Sequence, residues 1–299
     1  MSFQYQNFTI SGSRDEIEGT SEFVTKAKEF MESAGWVIED DRRTQAGSAT
    51  DADTHKIVMK SEGEDDSLST FYLTIASGVS SVQNSNVVSF MMSTGYDVGT
   101  HDVPSSDAKI PANLGGSDFL NTRTSQDYEI WMSGDSEGVV FITRQSPATY
   151  ASCYIGRCNQ FTSIALDPHP LYIVAGNTTL VTKSTSAKVI AGNPPEAAAA
   201  VSEGESIGIS YTAADQPYTG VHTSVNSIFV ATPLVITMDD AAPSIRKGMV
   251  GTVRNAWQAA GTTSDMLAEG TLTASGSFGV QIYRAFPVST VSSLIIRQS

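Results

Sequence analysis

The sequence predicts an α+β, β-rich protein: an N-terminal helix packed on an antiparallel sheet, followed by a mainly β C-terminal half. Three observations predict it. Residues 14–34 repeat apolar side chains at helical spacing, at Ile17, Phe23, Val24, Ala27, Phe30, Met31 and Ala34. Beyond them, short runs rich in β-branched and aromatic residues are divided by Gly-, Pro- and Ser-rich turns. Residues 127–144 hold two such runs around Gly134-Asp135-Ser136-Glu137-Gly138, a turn with two glycines for unusual backbone angles and polar side chains that bond the backbone.

Taken in order, residues 3–10 alternate as a short strand. Thr20 or Ser21 is placed to cap the main body of the helix, and Gly35 stands where a helix-ending glycine belongs. Trp36-Val37-Ile38 opens a strand, and a polar loop is expected from Asp40 to Asp53. Strands follow at His55–Lys60, Ser69–Ala76 and Val87–Met92. Residues 95–118, with Gly95, Gly99, Pro104, Pro111, Gly115 and Gly116, read as loop. The 127–144 pair and a strand at 149–155 complete the first half. Antiparallel strands with one long helix imply that the helix covers much of one sheet face.

The second half turns to Thr, Ser, Ala and Gly. Residues 193–201 read as a short helix begun at proline or as a linker. Strands are expected at 207–211, at 228–238 with Pro233 marking an edge or a bulge, at 248–254, at 270–275 paired with 278–286 around Gly276, and at 289–297. Two units are expected, 1–176 (α+β) and 177–299 (β-rich domain or extension). Their boundary falls within 176–195 unless one sheet system runs across it.

Charge narrows the function classes. The net charge is −14 and the isoelectric point near 4.6. Such a chain gains no counterion-release affinity for phosphate backbones, so sequence-specific nucleic-acid binding is not expected. The acid is uneven: residues 1–70 hold 15 Asp plus Glu against 7 Lys plus Arg, a balance of −8. The cluster Glu62-Gly63-Glu64-Asp65-Asp66 lacks the spacing of a calcium loop and reads as solvated, so no metal and no cofactor are expected. No signal peptide and no apolar run of bilayer length is seen, which implies synthesis in a cytoplasm and no membrane partner.

Markers of catalysis are missing. None of His55, His101, His169 and His222 sits in a metalloprotease motif, and neither a nucleophile elbow nor a nucleotide-binding glycine fingerprint is present. His101-Asp102 is the best adjacent acid–base pair; Asp40-Asp41 and Asp239-Asp240 are paired carboxylates that read as solvated turns. The chain is not expected to be an enzyme. Cys153 and Cys158 are a candidate local disulfide if Ile155-Gly156 bends the strand, and otherwise two small buried thiols. Tyr128, Trp131, Tyr150 and Tyr154 are candidate aromatics for the core or an interface, with sugar stacking as the alternative.

Several short pieces occur in a fixed order: Ala34-Gly35-Trp36 closing the helix, Phe71-Tyr72-Leu73-Thr74-Ile75, Thr94-Gly95-Tyr96-Asp97, Tyr128-Glu129-Ile130-Trp131, Tyr150-Ala151-Ser152-Cys153-Tyr154-Ile155-Gly156 and Pro168-His169-Pro170-Leu171. Over residues 14–176 this order resembles a family of tailed-bacteriophage virion structural proteins. The first paired strand departs from the family pattern, with two residues between its aromatics, and residues 177–299 have no counterpart in it. The resemblance implies a neck or tail component (collar, connector or tail-terminator-like) made in the host bacterial cytoplasm and built into the virion. Its partners would be copies of itself in a cyclic ring and other neck or tail proteins, a ring through which DNA could pass. A ring requires heterologous interfaces, which open strand edges supply. The alternative is a host-recognition or carbohydrate-binding β protein of a tail fibre or spike.

Overall fold

The computed structural model describes residues 4–10, 17–44, 54–62, 70–80, 85–105, 109–112, 127–146, 149–157, 159–160, 171–175, 188–191, 206–209, 231–239, 248–260, 270–276, 279–287 and 292–298. Its first element is β1 (Gln4–Ile10), followed by the helix α1 (Ile17–Ser33). The helix starts earlier than a cap at Thr20 or Ser21 requires, so both residues lie in its body. Its end is a Schellman turn: Gly35 (φ 98°) donates its N–H to the Glu32 carbonyl at 3.1 Å, and Trp36 to Met31 at 2.9 Å.

Five strands then form an antiparallel outer sheet in chain order: β2 (Val37–Thr44), β3 (Thr54–Ser61), β4 (Phe71–Ser80), β5 (Ser85–Ser93) and β6 (Lys109–Ala112). Two expectations are corrected here. The polar segment after Asp40 is strand as far as Thr44, because pairing with β3 satisfies its backbone regardless of its charged side chains. The 95–118 loop also contains a strand, β6, paired to β5.

The chain next returns to β1. Strand β7 (Tyr128–Asp135) pairs along its length with β1, from Gln4↔Gly134 to Ile10↔Tyr128. Strands β8 (Gly138–Ser146), β9 (Thr149–Arg157), β11 (Leu171–Ala175) and β12 (Lys188–Ala191) continue this central sheet in the order β1-β7-β8-β9-β11-β12. The short β10 (Asn159–Gln160) leaves it to pair with β15 (Gly248–Ala260) of the C-terminal sheet. That sheet adds β13 (Ser206–Ile209), β14 (Ala231–Asp239), β16 (Gly270–Gly276), β17 (Gly279–Pro287) and β18 (Ser292–Arg297), ordered β13-β14-β15-β18-β17-β16. Pro233 stands at a bulge, since the β14–β15 register slips between Pro233 and Val235. The 193–201 segment lies outside the described residues. With β12 on the central sheet and β10 on the C-terminal one, the central sheet runs into the 176–195 interval and the two halves exchange strands.

The period-2 alternation of the central sheet serves two cores. One face (Tyr128, Ile130, Met132, Val139, Phe141, Ala151, Cys153, Ile155) joins the helix residues Phe23, Val24, Ala27, Phe30 and Met31 and the outer-sheet residues Ile57, Met59, Phe71, Leu73, Ile75 and Phe90 in one apolar cluster. Phe23, Phe90 and Phe141 meet there, one from each layer, with ring centroids 5.4–6.3 Å apart. On the opposite face Trp131 and Tyr150 pack on Phe286 of β17, at 5.0 and 5.8 Å. An antiparallel sheet usually leaves one face to water. In this one, β7–β9 are covered on both.

Candidate functional site

Among the described residues, the sharpest concentration of buried polar side chains is at the β7–β8 turn. Asp135 begins it: its Oδ1 accepts the backbone N–H groups of Glu137 (2.8 Å) and Gly138 (3.1 Å), the local bonding that makes aspartate a turn residue. Its carbonyl accepts the Trp36 indole N–H at 2.8 Å, and the Ser136 carbonyl accepts the Ser61 hydroxyl at 2.7 Å. Helix end and outer sheet thus dock on one turn.

Glu137 points inward. Its Oε2 lies 3.1 Å from Arg157 Nε, with side chains only 1 % and 4 % exposed, and the Arg157 guanidinium stacks over the Phe71 ring at 5.3 Å. The Arg157 N–H also donates to the Glu137 carbonyl at 2.9 Å. Such close approach of β9 to the turn is possible because position 156 is glycine (φ 147°). The C-terminal sheet reaches the same place through Asp135 Oδ2, which accepts Asn255 Nδ2 at 3.0 Å and Arg254 Nη2 at 3.3 Å. Strand β15 bulges there: between the pairs Val235↔Thr252 and Pro233↔Trp257 lie four of its residues against one of β14, and Asn255 takes a left-handed φ of 61°. The bulge re-aims Arg254 and Asn255 out of the ladder. Three sheets and a helix therefore meet on five turn residues.

The four candidate aromatics are buried, and only Tyr154 stands at this joint. Tyr128 lies in the helix-side core, while Trp131 and Tyr150 form the seam to Phe286. Tyr154 donates its hydroxyl to the Arg157 carbonyl and stands against Gly138. All four act as core or internal seam, and none offers a ring face for a sugar. Cys153 is a free, buried thiol whose pKa burial pushes up; Cys158 lies outside the described residues.

Strand β2 gathers the second polar cluster, on its two faces. Asp41 faces the helix: Oδ1 lies 2.9 Å from His55 Nε2, and Oδ2 accepts Lys28 Nζ. On the other face Asp40 Oδ2 lies 3.0 Å from His101 Nδ1 and accepts the Tyr96 hydroxyl, with Arg42 Nε at 3.6 Å. The adjacent pair His101-Asp102 is thus not a pair in space: Asp102 instead bonds the N–H of Val103. Nor are Asp40 and Asp41 in a solvated turn. His55 Nδ1 also lies 3.3 Å from Ser21 Oγ, a Ser–His–Asp alignment that no spacing in the sequence announces. It is not built for attack on a substrate: Ser21 is 1 % exposed, sits in the body of α1, and its Oγ accepts Arg43 Nη2 at 2.9 Å. His169, His222 and Asp240 lie outside the described residues, as do residues 63–66 of the acidic cluster; Glu62 pairs with Lys60 at 2.9 Å. Among the described residues no group of His, Cys, Asp and Glu is arranged to hold a metal ion, and no helix is long and apolar enough to cross a membrane.

Asp40 and Asp41 both titrate below the usual carboxylate range. Burial pushes each up, but hydrogen bonds outweigh it, from Tyr96 and His101 to Asp40 and from Lys28 and His55 to Asp41. Carboxyls held lower in the folded than in the unfolded chain add stability above the unfolded value of about 3.9, and that stability is lost as pH falls through the folded value. Thermal melts from about pH 6 to about pH 3 are expected to show a steep acid loss that is shallower in Asp40→Asn. An unchanged slope would remove Asp40 from the acid response.

No protein-family model matches the chain, and no curated protein matches it.

Proposed function

We propose that the chain is a structural component of a tailed-phage particle, assembling with copies of itself and with other virion proteins in the neck or tail as a collar, connector or tail-terminator-like subunit. One observation carries this reading. Two of the pieces behind the resemblance, Ala34-Gly35-Trp36 and the Gly156 end of Tyr150–Gly156, converge on one turn, and the strand that leads into that turn begins with a third, Tyr128–Trp131. Trp36 bonds Asp135, Gly35 abuts Ser136 and Gly156 abuts Glu137. They behave as parts of one architecture rather than as scattered likenesses. The two polar clusters point the same way, because their charges are engaged in internal ion pairs that brace the fold.

The test is gold-labelled antibody against the chain, imaged by electron microscopy on particles released from its source. Label at the head–tail junction or along the tail is the expected result. Label confined to distal fibres, or none on intact and disrupted particles, would overturn the reading.

A further inference from the structure

The outer strands of two sheets end differently. Strand β2 closes one side of the outer sheet with a register slip between Ile38 and Asp40 and a run of five charged residues, Glu39 to Arg43. Bulges and charges are how proteins keep an edge from pairing with another chain. Strand β16 closes the C-terminal sheet with neither. Gly270–Gly276 carries no charge and no proline, pairs with β17 in unbroken register, and among the described residues pairs with nothing else. Thr271 and Thr273 on it are exposed.

The hairpin is also exposed toward its tip. Side chains alternate along β17, so Phe286 shares a face with Arg284, Ile282 and Val280. Phe286 is buried on Trp131 at one end of that face, while Val280, toward the tip, is 65 % exposed. The face that seals the sheet-to-sheet seam thus continues past the half-buried Arg284 and Ile282 to an exposed valine toward the hairpin tip. Charge indicates what covers it. Residues 270–299 contain Arg284 and Arg297 and no Asp or Glu, whereas residues 1–70 carry a balance of 7 − 15 = −8. Two copies of a chain at −14 repel each other except where such unlike surfaces face.

The geometry points to the β16–β17 hairpin as the contact through which this chain docks on a second copy of itself, its acid-free arm against the acidic N-terminal unit of the neighbour. This rests on the self-assembly in the proposed function and names its surface. The contact is heterologous, one patch meeting a different patch, and so propagates head to tail and closes into a ring where the rotation allows.

Sedimentation velocity of the purified chain over a concentration series tests it. Wild type is expected to associate. Val280→Asp is expected to weaken association by about tenfold or more, with unchanged circular dichroism and melting temperature. Val280→Lys should weaken it less, because its charge is opposite to that of the facing surface; Thr273→Asp is a second probe should Val280→Asp alter the fold. A wild-type monomer at every concentration, or Val280→Asp associating like wild type, overturns the contact, and equal losses for Asp and Lys overturn the acidic partner surface. Association without particle labelling would count against the virion reading alone; labelling without association would count against this contact alone.

Discussion

Glu137→Ala is expected to destabilise the protein by about 3–5 kcal/mol, the usual cost of removing one partner from a buried ion pair. The magnitude follows from position. Both side chains are almost fully enclosed, so the deletion leaves the Arg157 guanidinium charged, out of water and without its carboxylate 3.1 Å away. Water cannot repay that loss as it would at a surface pair, where the net worth is at most about 1 kcal/mol. Equilibrium denaturation measures it. The double substitution Glu137→Leu/Arg157→Leu should recover much of the loss, because it removes both desolvation penalties together. A loss below about 1 kcal/mol for Glu137→Ala would mean that water reaches the pair.

Gly156→Ala is expected to be at least as damaging, at about 4 kcal/mol or more. A Cβ at this position would lie 2.4 Å from both the Glu137 carbonyl oxygen and Gly138 Cα, and φ is 147°. Both obstacles are backbone, so no side chain can swing away. Relief requires β9 to draw back from the turn, which breaks the hydrogen bond from Arg157 N–H to the Glu137 carbonyl and pulls the guanidinium from its carboxylate. Gly35→Ala is the measure of conformation alone: its φ is 98°, but the nearest atom to a new Cβ is the Ser136 Cβ at 3.3 Å. It should cost only about 1–2 kcal/mol. Equal melting temperatures for the two variants would show that the close approach at Gly156 is dispensable.

Local periodicity carried the fold class. Helical spacing marks α1 within three residues at its start and one at its end, and Gly35 ends it as a glycine that far into an apolar repeat should. Alternation marks β7, β8 and β9, and a proline marks the bulge at Pro233. What misled was polarity. Asp40-Asp41-Arg42-Arg43 looks like a loop when charge is taken as exposure, yet it is an edge strand whose acids are satisfied by His55, His101, Lys28 and Tyr96. The Gly-Asp-Ser-Glu-Gly turn was visible as a turn, but a surface hairpin turn and a buried joint have the same local chemistry.

The sequence by itself determined the helix, most of the strands and the strong negative charge, because each depends on spacings of a few residues or on a sum. Tertiary structure alone decided that Asp135 meets Asn255, that Glu137 pairs with Arg157 across the turn, that Ser21, His55 and Asp41 align, and that Phe286 closes on Trp131. Those contacts join residues brought together by sheet order and register, with up to 155 positions between the partners (286 − 131). Local turns announce the hairpins β7–β8 and β16–β17, but no short-range pattern encodes the pairing of strands distant in the chain, such as β1 with β7. That choice is made by burial of both faces of the central sheet at once, a property of the assembled layers and not of any one segment.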